Sequence, residues 1–386
     1  MLKKAIITVL SIVFCFGFSM ATVAQHSHHN HSHHHSHDHT HHANENMDMA
    51  HHHEHDPAAS DDIPRQVKLV TGQGEFIFSW DEGLTDAFPE DAREFEAGMH
   101  GGFTEDPETG VVYTGIPGYG LCSISPDLTK WSTIGTDSRL KDNIHGIGFF
   151  VHKGEKYLAL AQEGKRVLIV TLDGSIVSEI VKPEGTEFTF EQANKFFASP
   201  DSNFGVTDVT YLNGIIYAAH GYSNGDFVLT IEENNGVWSW GELAWGGKGD
   251  NPGQFQTAHG IYAHEEHIFV ANRAAGQVVK FTGEGKFVNT FSDIPDGSLI
   301  CNLSYKDEHY FLNALQAIGD QKSAPIYVHT DEELVSTIVP GDLDIPDLTN
   351  IHQVWPHIVT ENGSKQLYLL VHGWNKGKFA VLKMEK

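Results

Sequence analysis

Between Thr257 and Phe287 the chain reads TAHGIYAHEEHIFVANRAAGQVVKFTGEGKF, short runs of alternating apolar and polar residues broken by polar turns. An apolar segment follows His259, a turn falls at His264–Glu266, and an alternating run covers His267–Ala271. A second turn lies around Gly276, a run covers Gln277–Phe281, and a third turn falls at Gly283–Gly285. Alternation with a period of two, interrupted by glycine-bearing turns, predicts antiparallel strands joined by tight connections. The same unit recurs upstream at His100, His145 and Thr207, and downstream at Cys301 and His357. Starts at 100, 145, 207, 259, 301 and 357 are separated by 45, 62, 52, 42 and 56 residues, a spacing that suits four-stranded blades with loop insertions. The fold class expected is therefore all-β, a six-bladed propeller.

A propeller places the first strand of every blade around a central channel, so residues at one repeat position converge on the axis. Four of the six unit starts are histidine, which predicts a histidine-lined pore. The last unit supplies only three clear strands. A strand within residues 65–80 (its Gln66–Trp80 part reads QVKLVTGQGEFIFSW) is expected to complete it, closing the ring and removing free sheet edges. Residues 182–205 carry a short helical pattern around Glu191–Phe197, and residues 240–256 are rich in glycine and tryptophan. Both precede the inner strand of a blade, where they can form a lip over one channel mouth or simply decorate it.

Before the repeats, residues 1–24 have the form of a secretory signal: Lys3 and Lys4, an apolar run from Ala5 to Phe18, and Thr22-Val23-Ala24 as a cleavage site. A periplasmic or secreted protein is expected, with a lipid anchor at Cys15 as the alternative. Residues 25–64 form a histidine-rich tract and linker, expected to be disordered. Within them, 26–55 hold 15 of the chain's 27 histidines and almost no apolar side chain. Many imidazoles on one polar segment suit capture of zinc, copper or nickel, and an inert tail is the competing reading. The third expected segment, the propeller, spans 65–386. Cys122 and Cys301 fall in different strand positions and are expected to remain unbridged thiols. A formal net charge of −26 speaks against nucleic acid and anionic membranes and favours cations. No stretch beyond the signal is long enough to span a bilayer, and a monomer is expected.

His145, His259 and His357 start blades two, four and six, so approximate sixfold symmetry puts them at the corners of a triangle around the axis. Three imidazoles facing one point leave a fourth position open, the arrangement of a catalytic metal site, for zinc, copper or another divalent transition metal. His100 is a further candidate, as a fourth ligand or an acid/base beside the site. The competing reading is that histidine merely suits the polar rim of a wet channel.

The units at 145, 207 and 259 look like NHL repeats and resemble those of peptidyl-α-hydroxyglycine α-amidating lyase, a secreted six-bladed propeller whose channel histidines hold zinc. The motifs HGIGFF, AHGIYA and PHIVTE match the family's three ligand positions at His145, His259 and His357. HGYSN places Tyr222 at the family's catalytic tyrosine, with His220 where an aspartate is usual, and VANRAAG places Arg273 at an active-site arginine. The resemblance implies cleavage of a carbon–nitrogen bond in an N-acylated, peptide-derived α-hydroxyglycine, with Tyr222 as general base and Arg273 orienting a carboxylate. Arg93 and Arg139 are positional candidates for the family's second arginine. The aspartate that helps hold the family's calcium is Ile358 here, which argues against calcium. A small-molecule substrate in the channel is one expectation; a non-catalytic metal- or ligand-binding propeller is the other.

Overall fold

The computed structural model describes residues 68–361 and 363–385. The expected signal and the histidine tract lie outside them. The chain forms six antiparallel sheets arranged as the blades of a propeller. Strands β1 (Thr71–Gln73) and β2 (Phe76–Trp80) come first, and blade one follows with β3 (Phe103–Glu105), β4 (Val112–Ile116), β5 (Gly120–Ile124) and β6 (Trp131–Ile134). Blade two holds β7 (Ile144–His152), β8 (Glu155–Gln162), β9 (Arg166–Thr171) and β10 (Ile176–Ile180). Blade three holds β11 (Asp208–Leu212), β12 (Ile215–His220), β13 (Phe227–Asn234) and β14 (Val237–Gly246). Blade four holds β15 (Ala258–His264), β16 (His267–Asn272), β17 (Gln277–Thr282) and β18 (Phe287–Thr290). Blade five holds β19 (Ile300–Lys306), β20 (His309–Ala314), β21 (Ile326–His329) and β22 (Leu334–Ile338). Blade six begins with β23 (Ile351–Glu361), β24 (Ser364–Gly373) and β25 (Phe379–Met384).

The ring closes as the strand count requires. β2 pairs antiparallel with β25, Phe78 opposite Met384 and Trp80 opposite Leu382, and β1 adds a fifth strand outside it. Phe78 is fully buried in a cluster that joins blades five and six. The segment Glu191–Ala198 is helical, as its pattern predicts. The second insertion is shorter than its composition suggests, because Trp240–Gly246 belongs to β14 and only the residues after Gly246 leave the sheet. Cys122 and Cys301 are buried free thiols. Among the described residues no helix is long and apolar enough to cross a membrane.

Two features of the inner strands set up the channel. The pairing register shifts by one residue at the start of β7, β15, β19 and β23, between Ile144 and Gly146, Ala258 and Gly260, Ile300 and Asn302, and Ile351 and Gln353. A β-bulge of this kind leaves one residue outside the ladder and re-aims its side chain. The residues displaced are His145, His259, Cys301 and His352. Glycine follows the histidine on blades two and four because neighbouring inner strands nearly touch there. A Cβ on Gly146 would lie 2.4 Å from Asp208 Cα, and one on Gly260 would lie 2.7 Å from Asn302 Cα.

Asp208 ties these strands together. Its carboxylate accepts from the backbone N–H of Val209 (2.9 Å) and Ile261 (3.1 Å) and from Asn302 Nδ2 (3.0 Å), reaching blades three, four and five. Burial pushes its pKa up to about 7 against the pull of these donors. Ring closure should dominate stability. Phe78→Ala removes a fully buried ring from the closing strand and is expected to lower unfolding stability by about 3–5 kcal/mol, read as a shift of the urea midpoint at unchanged slope.

Candidate functional site

His145, His259 and His352 stand at the starts of inner strands β7, β15 and β23 and converge on the axis. Their ring centroids are 4.9 Å (His145–His259), 4.6 Å (His145–His352) and 5.1 Å (His259–His352) apart, a nearly equilateral triangle contributed by blades two, four and six. The three rings are buried, none more than 2% exposed. The alternate-blade geometry is the one expected, but the residue on blade six is not. His357 lies five residues further along β23, away from the axis, with Nδ1 3.0 Å from Glu105 Oε2 and Nε2 donating to Pro126 O at 2.8 Å. Its place in the triangle is taken by His352. The signal was present in the sequence: Asn143-Ile144-His145 and Asn350-Ile351-His352 are the same tripeptide at the same point of two inner strands.

Backbone carbonyls fix the orientation of two rings. His145 Nδ1 lies 2.6 Å from Thr207 O, and His259 Nδ1 lies 2.8 Å from Cys301 O. A carbonyl only accepts, so both Nδ1 atoms carry the proton and both Nε2 atoms present lone pairs inward while the rings are neutral. Burial, reinforced by neighbouring imidazoles and Arg273, holds both pKa values well below the ordinary histidine value. His352 is shifted the same way for the same first reason, and its Nδ1 is buried without a partner among the described atoms. Its Nε2 lies 3.2 Å from His145 Nε2.

Loops between the second and third strands of several blades wall the space above the triangle. Tyr222, after β12, places its hydroxyl 2.9 Å from His259 Nε2 and 3.3 Å from His145 Nε2. Arg273, after β16, donates from Nη1 to that hydroxyl at 2.9 Å. Burial raises the Tyr222 pKa, and the Arg273 charge and hydrogen bond oppose it without cancelling it. No carboxylate lies within ion-pair distance of Arg273 among the described residues. Asp226 stabilises the loop below, accepting from Ala258 N at 2.8 Å, one residue before His259.

His100 joins the site from the segment before β3. Its ring centroid is 4.6 Å from that of His145 and 4.3 Å from that of His352, and it stacks on Trp374. Ligand atoms of His100, His145 and His352 all lie within 4.8 Å of one another. Burial, then the Arg273 charge, lowers its pKa to about 4. On its outer side Asn143 Nδ2 donates to Glu163 Oε2 at 2.9 Å and approaches His100 Nδ1 at 3.4 Å.

The structure therefore brings together His100, His145, His259, Tyr222 and Arg273, adds His352, and leaves His357 outside. His220 turns away, its Nε2 accepting from Gly205 N at 3.0 Å in a pocket of Phe196, Phe197 and Phe204 rings. Arg93 is engaged on the surface with Asp86, Glu90 and Glu96, and Arg139 with Asp137 and Glu179. Neither approaches the triangle. The residue after the axial histidine of blade six is Gln353, while Ile358 packs against the blade-five and blade-six core.

No protein-family model matches the chain, and no curated protein matches it. Among solved structures, the chain is 12% identical to one described as BBS1N in complex with ARL6DN soaked with mercury, with a TM-score of 0.42 over 72% of this chain and 76% of that one. It is 13% identical to a protein of unknown function from Bacteroides caccae, with a TM-score of 0.42 over 67% of this chain and 81% of that one. Similarity at this level carries no functional argument.

The buried imidazoles set the acid response. Burial lowers His220 and His372 to about 3, far below the ordinary value of 6.5. A group with a depressed folded pKa stabilises the fold above its unfolded value and loses that contribution as pH falls toward the folded one. Asp208, raised to about 7, Asp226, raised to about 6, and Glu163, also raised by burial, act oppositely, stabilising at low pH and losing their contribution as pH rises, but the lowered imidazoles of His100, His145, His220, His259, His352 and His372 outnumber them. Unfolding stability should therefore fall steadily from pH 6.5 to pH 4. His372→Asn should flatten the slope by close to one proton, measured by urea titration across that range.

Proposed function

We propose that the channel holds a transition metal, zinc in the first instance, on His145, His259 and His352, and that this centre acts with Tyr222 and Arg273 on a small carboxylate substrate. The observation that carries the reading is the convergence of three inner-strand imidazole rings, centroids 4.6–5.1 Å apart, beneath a tyrosine and an arginine. Ligand nitrogens about 2.0–2.1 Å from a tetrahedral ion stand about 3.3 Å from one another, and the 3.2 Å between His145 Nε2 and His352 Nε2 fits that spacing. The carbonyl partners of His145 and His259 are the outer-shell contacts that usually fix a metal-binding tautomer. The ligand set is neutral, and an arginine without a carboxylate partner stands beside it. A divalent ion there would leave a buried excess of positive charge, which favours an anionic substrate.

When bound, the metal supplies Lewis acidity toward a substrate oxygen. Arg273 orients the carboxylate through charge-assisted hydrogen bonds. Tyr222 starts protonated because burial raises its pKa; the Arg273 guanidinium and the adjacent cation favour its phenolate, the form able to accept a proton. The resemblance of HGYSN and VANRAAG to the amidating lyase segments points to an N-acyl-α-hydroxyglycine as substrate. Its hydroxyl proton passes to Tyr222, the carbon–nitrogen bond breaks as the carbonyl of glyoxylate forms, and the departing nitrogen takes up a proton to give the amide. His220, standing where the family has aspartate and facing away from the site, favours the alternative of metal binding without turnover. In either case the N-terminal histidines would act as a local reservoir of the same metal in the periplasm or outside the cell.

Elemental analysis of the chain lacking residues 26–55 is expected to find one zinc per molecule. His352→Ala should lose most of it, whereas His357→Ala should keep it. Metal near zero in the parent would overturn the reading, as would equal retention in both variants. In an assay for glyoxylate release from an N-acyl-α-hydroxyglycine, Tyr222→Phe should retain zinc and lower kcat about 10²–10⁴-fold. Arg273→Gln should act mainly through KM. Absence of turnover by the zinc-loaded parent would leave the binding alternative.

A further inference from the structure

Further along the same inner strands, beyond the histidine triangle, the channel opens into a separate cavity of about 350 Å³ lined by residues of all six blades. The histidine-triangle reading does not use it, and Gln353 in its lining stands where the resembled family's calcium-binding aspartate would follow the axial histidine. Its walls are aromatic: Phe149, Tyr211, Tyr262, Tyr305 and Trp355 all face it, with Tyr262 and Trp355 ring centroids 6.5 Å apart at 62°. Its lining also includes Asp208, a residue 6% exposed, and Gln353.

The charges around this cavity are unevenly matched. Glu105 is satisfied, pairing with Lys306 Nζ at 3.1 Å and accepting from Trp355 Nε1 at 3.1 Å and His357 Nδ1 at 3.0 Å. Burial pushes the Glu105 carboxyl up, but these partners outweigh it and leave it below its ordinary value. Asp208 has no cation within ion-pair distance among the described residues, and its partners are neutral N–H donors. Gln353 Oε1 is buried without a hydrogen-bond partner among the described residues. A carboxylate lacking a counter-charge in the lining of a cavity walled by π faces has the composition that recognises an organic cation. The rings attract the cation over their faces, the acid supplies the opposite charge, and the chain's formal net charge of −26 favours its approach.

We propose that this cavity is a second binding site, distinct from the histidine triangle, for a compact organic ammonium ion, held between the Tyr262 and Trp355 rings beside Asp208. The cavity volume lies at the small end of ligand sites, so the occupant is an amine of a few heavy atoms rather than a peptide.

The test is isothermal titration of the full chain with n-butylammonium, and with 1-butanol as the uncharged control of similar shape, in chelator-treated and zinc-loaded protein. Saturable binding of n-butylammonium in both forms is expected, with butanol at least about tenfold weaker and Trp355→Leu and Tyr262→Leu each weakening the amine by about tenfold. Circular dichroism of the two variants should match the parent, and their zinc content should be unchanged. Asp208→Asn should also lose binding; because Asp208 ties several blades, the wall variants decide the matter if it does not fold. Equal binding of butanol would reduce the cavity to an apolar hole and overturn the proposal. So would the absence of saturable heat, or displacement of the amine by calcium, which would assign the cavity to an inorganic cation.

Discussion

One backbone irregularity, repeated around the ring, decides what this propeller can do. In a regular ladder the second residue of an inner strand is paired, and its side chain follows the pleat. Here the bulges at His145, His259, Cys301 and His352 take that residue out of the ladder and deliver it to the axis. The distortion can persist because the surroundings fix it. Thr207 O and Cys301 O, each at the matching point of the next blade, bind the Nδ1 atoms of His145 and His259. Gly146 and Gly260 let adjacent strands close to a distance no Cβ would allow. Fold and site therefore share one set of contacts, and neither can be altered without the other.

The same burial governs the electrostatics. Withdrawing the rings from water keeps them neutral, which is the state in which a histidine can donate a lone pair. It also raises the Tyr222 pKa, and among the described residues Arg273 has no carboxylate within ion-pair distance. A neutral ligand set beneath a guanidinium suits a cation and an anion arriving together, as a metal and a carboxylate would. Beyond the triangle, Asp208 poses the opposite problem, a buried negative group among neutral donors.

Much of this was legible in the chain because a propeller writes its architecture as a repeat. The period-two runs and their spacing lead to six blades, the missing strand of the last unit leads to the closure by β2, and the HG dipeptides at 145 and 259 lead to the axis. Tyr222 and Arg273 follow from short motifs that the structure brings into contact. On blade six two local signals diverge, because PHIVTE resembles a ligand motif while the NIH tripeptide at 350–352 lacks the glycine that follows His145 and His259. Gln353 stands there instead, so composition pointed to His357 and register to His352. The pairing of His357 with Glu105 and the position of His220 depend on contacts between residues far apart in sequence, which no local pattern encodes. The second cavity was invisible for the same reason, since its walls come from six separate strands.

The central claim is geometric, that the three bulged histidines share one ion. A crystal of the zinc-loaded chain, with anomalous maps recorded on both sides of the zinc edge, tests it directly. The account predicts a single anomalous peak on the channel axis about 2.0–2.1 Å from the Nε2 atoms of His145, His259 and His352, with its remaining position turned toward Tyr222. A peak at His357, or an axis without anomalous density in zinc-saturated crystals, would contradict it.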